Sequence, residues 1–158
     1  MKRNYVRIIL IPLLIVSLIL NIYNYIDKQE RIHRANDTFQ YAVGITSSCF
    51  GNGYNEKDEE TKIDSYMRLL SNLDTASSIY PFTSYYDKGN SNDEISNSLH
   101  YLKLCVNTPD KRSTLIIEKG ESLSNHLTYI ITNIDDKKSW QAVFEIAYET
   151  FTGIKPTF

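Results

Sequence analysis

Two cysteines, three histidines and one oxygen-rich turn are the groups in this chain equipped for chemistry, and their spacing decides which chemistry is open to them. Cys49 and Cys105, if joined, would close a loop of about 57 residues and stabilise the fold by roughly 4 kcal/mol on the chain-entropy estimate. The competing reading is a pair of small apolar side chains in a core, a role cysteine fills well. His33, His100 and His126 fall on three separate stretches. Only Glu30 and His33 have the Glu-x-x-His spacing of a di-iron bundle, and such a site needs a second pair that the sequence does not supply. HExxH, CxxC, Walker and GxSxG motifs are absent, so the common zinc, redox, nucleotide and hydrolase signatures are missing. The expectation is no cofactor, no metal and no enzymatic activity.

Asp87, Asn90, Asn92, Asp93 and Glu94 offer enough oxygen for a weak calcium ion, yet not in the ligand order of an EF-hand. A turn followed by a helix cap explains them more simply. The preceding residues are more distinctive, because Tyr80, Phe82, Tyr85 and Tyr86 cluster outside any helical stripe. Aromatic side chains give rigid apolar area and are enriched where proteins meet partners. This loop is the candidate partner-binding surface; the alternative is that it folds back over the end of a helical bundle. Asn36-Asp37-Thr38 is a formal glycosylation sequon with no supporting context.

These groups must be held by helices. Ile32, Ala35, Phe39, Ala42, Val43, Thr46, Cys49 and Phe50 recur at steps of three and four, which predicts a helix over 27–50. Gly51, Asn52 and Gly53 should stop it. Asn55 is placed to cap a second helix, with Asp58, Glu59 and Glu60 in its first turn and Ile63, Tyr66, Leu69, Leu70, Leu73 and Ala76 on its apolar side. Ser91 and Glu94 have capping-box spacing ahead of Ile95, Leu99, Leu102, Cys105 and Val106. Thr108 and Pro109 read as the start of a fourth helix, striped by Ile116, Gly120, Leu123, Leu127, Ile130 and Ile134. Gly120 would mark a close approach between helices, or else a local break. A last helix carries Trp140, Val143, Phe144, Ala147, Tyr148 and Phe151, and Gly153 and Pro156 end it. No strand alternation occurs, so the body is an all-α bundle of four or five helices.

Ahead of this body stands YVRIILIPLLIVSLILNIYNYI, residues 5–26, which reads as a transmembrane signal-anchor helix contacting the lipid bilayer. Tyr5 at one end and Tyr23 and Tyr25 at the other are about 27–30 Å apart at helical rise, the thickness of a hydrocarbon layer. No pair of small residues after the apolar run suits a signal peptidase, and no nearby cysteine can carry a lipid. Residues 1–26 thus form a tail and anchor, and residues 27–158 the domain.

Of 17 basic residues, only Lys2, Arg3 and Arg7 precede Asp27, leaving 14 against all 19 acidic groups, a net charge of −5 on the body. That balance argues against nucleic acid, which requires a basic face. Lys2, Arg3 and Arg7 are matched by Lys28, Arg31 and Arg34 across the span, but the short side has no acid and long domains translocate largely regardless of charge. The expected topology is therefore N-terminus cytoplasmic and body outside, in the cell membrane. The expected role is a protein- or ligand-binding or structural module with a protein partner. The alternatives are an envelope enzyme with an unrecognised helical site, or a cytosol-facing adaptor. With about five residues before the span, any signal would have to pass through a partner. Tyr25, Gln29, Ile32, Asn36, Phe39 and Val43 also form a seam near 3.5-residue spacing, the pattern that would pair two copies into a homodimer.

Overall fold

A computed structural model describes residues 2–51, 58–86, 93–108 and 111–157, with side chains from Leu10 onward. Its elements are α1 (Lys2–Gly51), α2 (Glu59–Ile79), a 3-10 turn (Tyr80–Phe82), α3 (Glu94–Asn107), α4 (Lys111–Glu118), α5 (Gly120–Thr132) and α6 (Lys137–Thr152). The all-α expectation holds: a long apolar N-terminal helix is followed by a helical bundle. The chain divides into two compact units, Met1–Arg34 and Ala35–Phe158.

In the first unit, the side chains from Leu10 to Ile26 are all exposed. Among the described residues, α1 is the one helix long and apolar enough to cross a membrane, and none of its apolar window is buried in the protein. The polar residues that follow pair along the helix. Arg31 meets Asp27 at 2.7 Å and Arg34 meets Glu30 at 2.7 Å, each one turn apart. Donation to the Glu30 carboxylate holds the Arg34 pKa above its ordinary value.

The second unit has its own core. Ala35, Phe39, Ala42, Val43, Thr46, Cys49 and Phe50 of α1 are buried there, as their spacing requires. Leu69, Leu73 and Ala76 of α2, Leu99, Leu102, Cys105 and Val106 of α3, and Trp140, Val143 and Ala147 of α6 join them.

Contacts between helices fix their directions. Tyr66 on α2 donates to the Val106 carbonyl at 2.6 Å, and Tyr80 reaches Asp93 at the other end of α3, so α2 and α3 are antiparallel. Ser98 lies 2.8 Å from the Trp140 carbonyl, and Cys105 donates to the Ala147 carbonyl at 3.3 Å. Both pairs advance by seven residues in the same sense, which makes α3 and α6 parallel neighbours.

Against α5, α1 presents small and hydroxyl-bearing residues. Ser47 lies 2.8 Å from the Thr128 hydroxyl and 3.0 Å from the Ser124 carbonyl. A Cβ placed on Gly120 would stand 2.7 Å from the Phe50 carbonyl oxygen, and one on Gly51 would stand 2.3 Å from Ser124 Oγ. The two backbones therefore touch where α5 begins. Gly120 serves both readings made of it, close approach and break, because Lys119 (φ −86°, ψ 8°) interrupts the helix just before it. One expected helix is thus two, α4 and α5, turned at the point of closest contact.

The caps differ in detail from expectation. Asn55, Ser91 and Pro109 lie outside the described residues. Asp58 caps α2 through the Thr61 N–H at 2.8 Å, and Asp93 caps α3 through the Ile95 N–H at 3.1 Å. Thr108 is the C-cap of α3, its hydroxyl donating to the Leu104 carbonyl, and α4 is described from Lys111. Ile63 is 64% exposed, while Ser65 takes the inward place two residues on. Gly153 ends α6 as expected, in the left-handed conformation (φ 74°) that glycine adopts without strain.

The contact at Gly120 sets one test, urea unfolding of the full-length chain in non-ionic detergent followed by helical dichroism. Gly120→Ala must displace backbone, so its midpoint should fall by the equivalent of about 1–3 kcal/mol. Thr46 supplies the contrast, since its Oγ1 is buried with no hydrogen-bond partner. Thr46→Val removes a desolvated hydroxyl at almost no change in shape and should stabilise by about 1 kcal/mol.

Candidate functional site

The functional candidates converge on one end of the second unit, where α2 finishes, α3 and α6 begin, and α5 turns into α6. Directions of the helices make this convergence unavoidable. The part of α1 within this unit begins here, so Phe39 packs on Tyr80 and Gln40 reaches Tyr85, and the Asn133–Asp136 turn brings α6 back beside α3.

The aromatic cluster divides between inside and outside. Tyr80 is 3% exposed, and its hydroxyl donates to Asp93 Oδ2 at 2.6 Å, a short charge-assisted bond. Its ring lies 5.5 Å from Phe39 and 5.4 Å from Tyr86. Tyr85 is half-buried, with its hydroxyl accepting from Gln40 Nε2 at 2.9 Å and its ring 6.1 Å from Phe39. Tyr86 lies at the surface, and Phe82 is 67% exposed. The loop thus roofs the bundle end with two of its rings and presents the other two outward.

Asn36 ties the loop down from α1. Its Nδ2 donates to Ser84 Oγ at 2.9 Å, and its Oδ1 accepts from the Ser84 N–H at 2.9 Å. The sequon asparagine is therefore engaged at both ends of its amide. Phe39 and Val43, from the seam that would pair two copies, are buried within this chain.

Asp93 sits at the centre, 8% exposed. Oδ1 accepts the Ile95 and Ser96 N–H groups and Oδ2 the Tyr80 hydroxyl, so three of roughly four acceptor positions on the carboxylate are filled. Asp136 does the same for α6: the Ser139 hydroxyl, then the Ser139 N–H, hold its pKa below the ordinary aspartate value. At Asp58 the Thr61 N–H, then the Thr61 hydroxyl, act in the same direction.

Two hollows that share Tyr85 and Asp135 open beside this framework. A cavity of about 120 Å³ is walled by Tyr80, Tyr85 and Trp140, with Asp93, Glu94 and Lys137 among its polar residues. Tyr85 and Asp135 also border a wider cleft of about 460 Å³, which runs past Gln40, Tyr129 and Asp136. A third hollow of about 280 Å³ lies behind Tyr80 and Tyr86, against His100 and Lys103.

The groups first considered for chemistry lie elsewhere. Cys49 and Cys105 are thiols buried in the core, Cys105 bonded to the Ala147 carbonyl at 3.3 Å. His33 and His100 are exposed, on α1 and α3, and His126 is half-buried on α5. Among the described residues, no three His, Cys, Asp or Glu side chains are placed to hold a metal ion. The calcium candidates Asp87, Asn90 and Asn92 lie outside the described residues, while Asp93 is a helix cap.

No family model, curated protein or solved structure matches this chain.

Sequence reasoning singled out the aromatic loop but not its partners Gln40, Asp135 and Trp140, which reach it only through the packing of α1 and α6. The available signal was Asp136, an aspartate placed to cap a helix as Asp93 does.

Two measurements test this framework. Asp93→Ala removes the α3 cap and the acceptor for a buried phenol, and should cost about 2–4 kcal/mol in urea unfolding. Tyr80→Phe loses only the charge-assisted bond and should cost about 1.5–3 kcal/mol, with the two losses less than additive when combined. The depressed carboxylates set a pH dependence. Because Asp58 and Asp136 ionise more readily folded than unfolded, their stabilisation is complete above the ordinary aspartate pKa and is lost as pH falls through their lower folded values. A double Asp58→Asn, Asp136→Asn variant keeps both caps but not their titration, so its unfolding midpoint should vary less with pH across that acid window.

Proposed function

We propose that this chain is a single-pass membrane protein whose extracytoplasmic helical domain binds a ligand or partner at the end built around Tyr80, Tyr85 and Asp93. The observation that carries the membrane reading is the run of exposed apolar side chains from Leu10 to Ile26. Large contiguous apolar surface of that kind exceeds by far the few hundred Å² that soluble monomers tolerate, and hydrocarbon is the natural solvent for it. The domain beyond it closes its own core, so it has no need of the anchor to fold its apolar residues away.

Orientation follows from the flanks. Lys2, Arg3 and Arg7 precede the apolar run with no acid among them, and a long domain translocates largely regardless of its charge, which supports this orientation. The binding reading is supported by the outward Phe82 and Tyr86, held on a loop whose base is fixed by Asn36 and Asp93. Exposed aromatics on a rigid base give contact area at low entropic cost. The Cys49–Cys105 disulfide stays a proposal for an oxidising exterior, beside the two free thiols of the structure.

Fractionation and labelling decide the matter. The full-length protein should stay in the membrane pellet after alkaline carbonate, at undiminished mass, and a Lys155→Cys variant should react with an impermeant maleimide in intact cells. A trimmed soluble product would sink the anchor; labelling only after permeabilisation would invert the topology.

A further inference from the structure

We infer that the aromatic-walled cavity between α3 and α6 binds the ammonium head of a small organic cation. This deepens the binding reading proposed above and rests on it only for the location of the site. The walls are Tyr80, Tyr85 and Trp140, and Phe39 stands behind all three, its ring 5.5, 6.1 and 6.2 Å from theirs. Faces of aromatic rings attract cations, most strongly where water is excluded. Tyr80 is a better wall than a lone phenol, because donation to the Asp93 carboxylate at 2.6 Å pushes electron density into its ring. The volume of about 120 Å³ corresponds to roughly four waters, space for one alkylated ammonium group and not for a whole metabolite. The adjoining cleft of about 460 Å³ takes the remainder of the ligand.

Charge gives the sign. Asp93, Glu94, Asp135 and Asp136 border the two hollows, against the one ammonium of Lys137 among their described residues. Two of these acids cap helices, and the α3 and α6 amino termini bring about half a positive charge each. That offsets roughly one of three net negative charges, and the carboxyl end of α5 returns part of it. The site remains negative after its caps are counted. The carboxylates are also spread around a rim, with no three groups converging on a point. A compact metal ion needs convergence; a bulky cation with dispersed charge needs an aromatic wall and a negative rim.

Trp140 is the sole tryptophan and lines the cavity, so its emission reports occupancy directly. The full-length protein in a neutral glucoside detergent is titrated with choline and, separately, with its uncharged isostere 3,3-dimethylbutan-1-ol. Choline should give a saturable change that the isostere does not. Tyr85→Ala should weaken binding at least about tenfold, while Tyr85→Phe, which keeps the ring, should hold it within about twofold. Asp135→Asn, at an exposed position outside the caps, should weaken it about threefold, and Lys137→Gln should tighten it about threefold.

A second arm separates a free cation from a lipid head carrying the same group. In phosphatidylcholine nanodiscs a lipid source would shift the emission before choline is added, whereas phosphatidylglycerol discs would leave the choline titration intact. Equal responses to choline and isostere, or a choline response indifferent to both Tyr85→Ala and Lys137→Gln, would overturn the assignment. The titration does not depend on topology, so its failure leaves the fractionation result standing, and the reverse holds too.

Discussion

The α1–α5 contact governs the second unit. Ser47 lies within hydrogen-bonding distance of Ser124 and Thr128, and Gly120 and Gly51 leave no space for a side chain between the backbones. Helices this close cannot slide, because every register but one drives a Cβ into a carbonyl or a hydroxyl. The fixed register of α1 places Phe39 under Tyr80, Tyr85 and Trp140, and Gln40 under the Tyr85 hydroxyl. Small residues at one end thus determine where large ones stand at the other.

From that placement the rest follows by direction. Parallel α3 and α6 start at the same end, and helix starts want acids, because their first N–H groups lack partners. Asp93 and Asp136 satisfy those groups. Two parallel helices with acidic caps necessarily collect negative charge at their shared end. The same end must also be roofed, since the core beneath it is apolar, and Tyr80 and Tyr85 do this. Aromatic walls and negative rim therefore arise together from ordinary requirements of folding.

The apolar stripes were legible in the sequence because periodicity is a property of neighbours along the chain. Every stripe residue named on α3 and on the α4–α5 stretch is buried. Boundaries were harder to read. Asp58 caps α2, whereas the expected cap, Asn55, lies outside the described residues, and nothing local distinguishes one good capping residue from another three positions away. The break at Lys119 was readable only as an alternative, because what forces it is Phe50, some seventy residues earlier. Ile63 was misplaced for a related reason: near the start of a helix the stripe has few residues on one side to fix its phase, and packing turned Ser65 inward.

The site was less legible than the fold, and the reason lies in which residues it uses. Cysteines and histidines draw attention in a sequence because their side chains are reactive, yet here the thiols are core-filling and the histidines lie on three different helices. Tyr80 stands out in the sequence only as one aromatic of a loop, and Asp93 and Asp136 only as polar residues at turns, and each has a structural task. What brings them together is convergence, which depends on α3 and α6 being parallel, and that orientation is carried by contacts such as Ser98 to Trp140 and Cys105 to Ala147 across 42 positions of sequence. A cap satisfies two N–H groups with one oxygen and leaves its charge in place. Where two such caps meet over an aromatic floor, the residual charge becomes a property of the pocket and no longer of either helix.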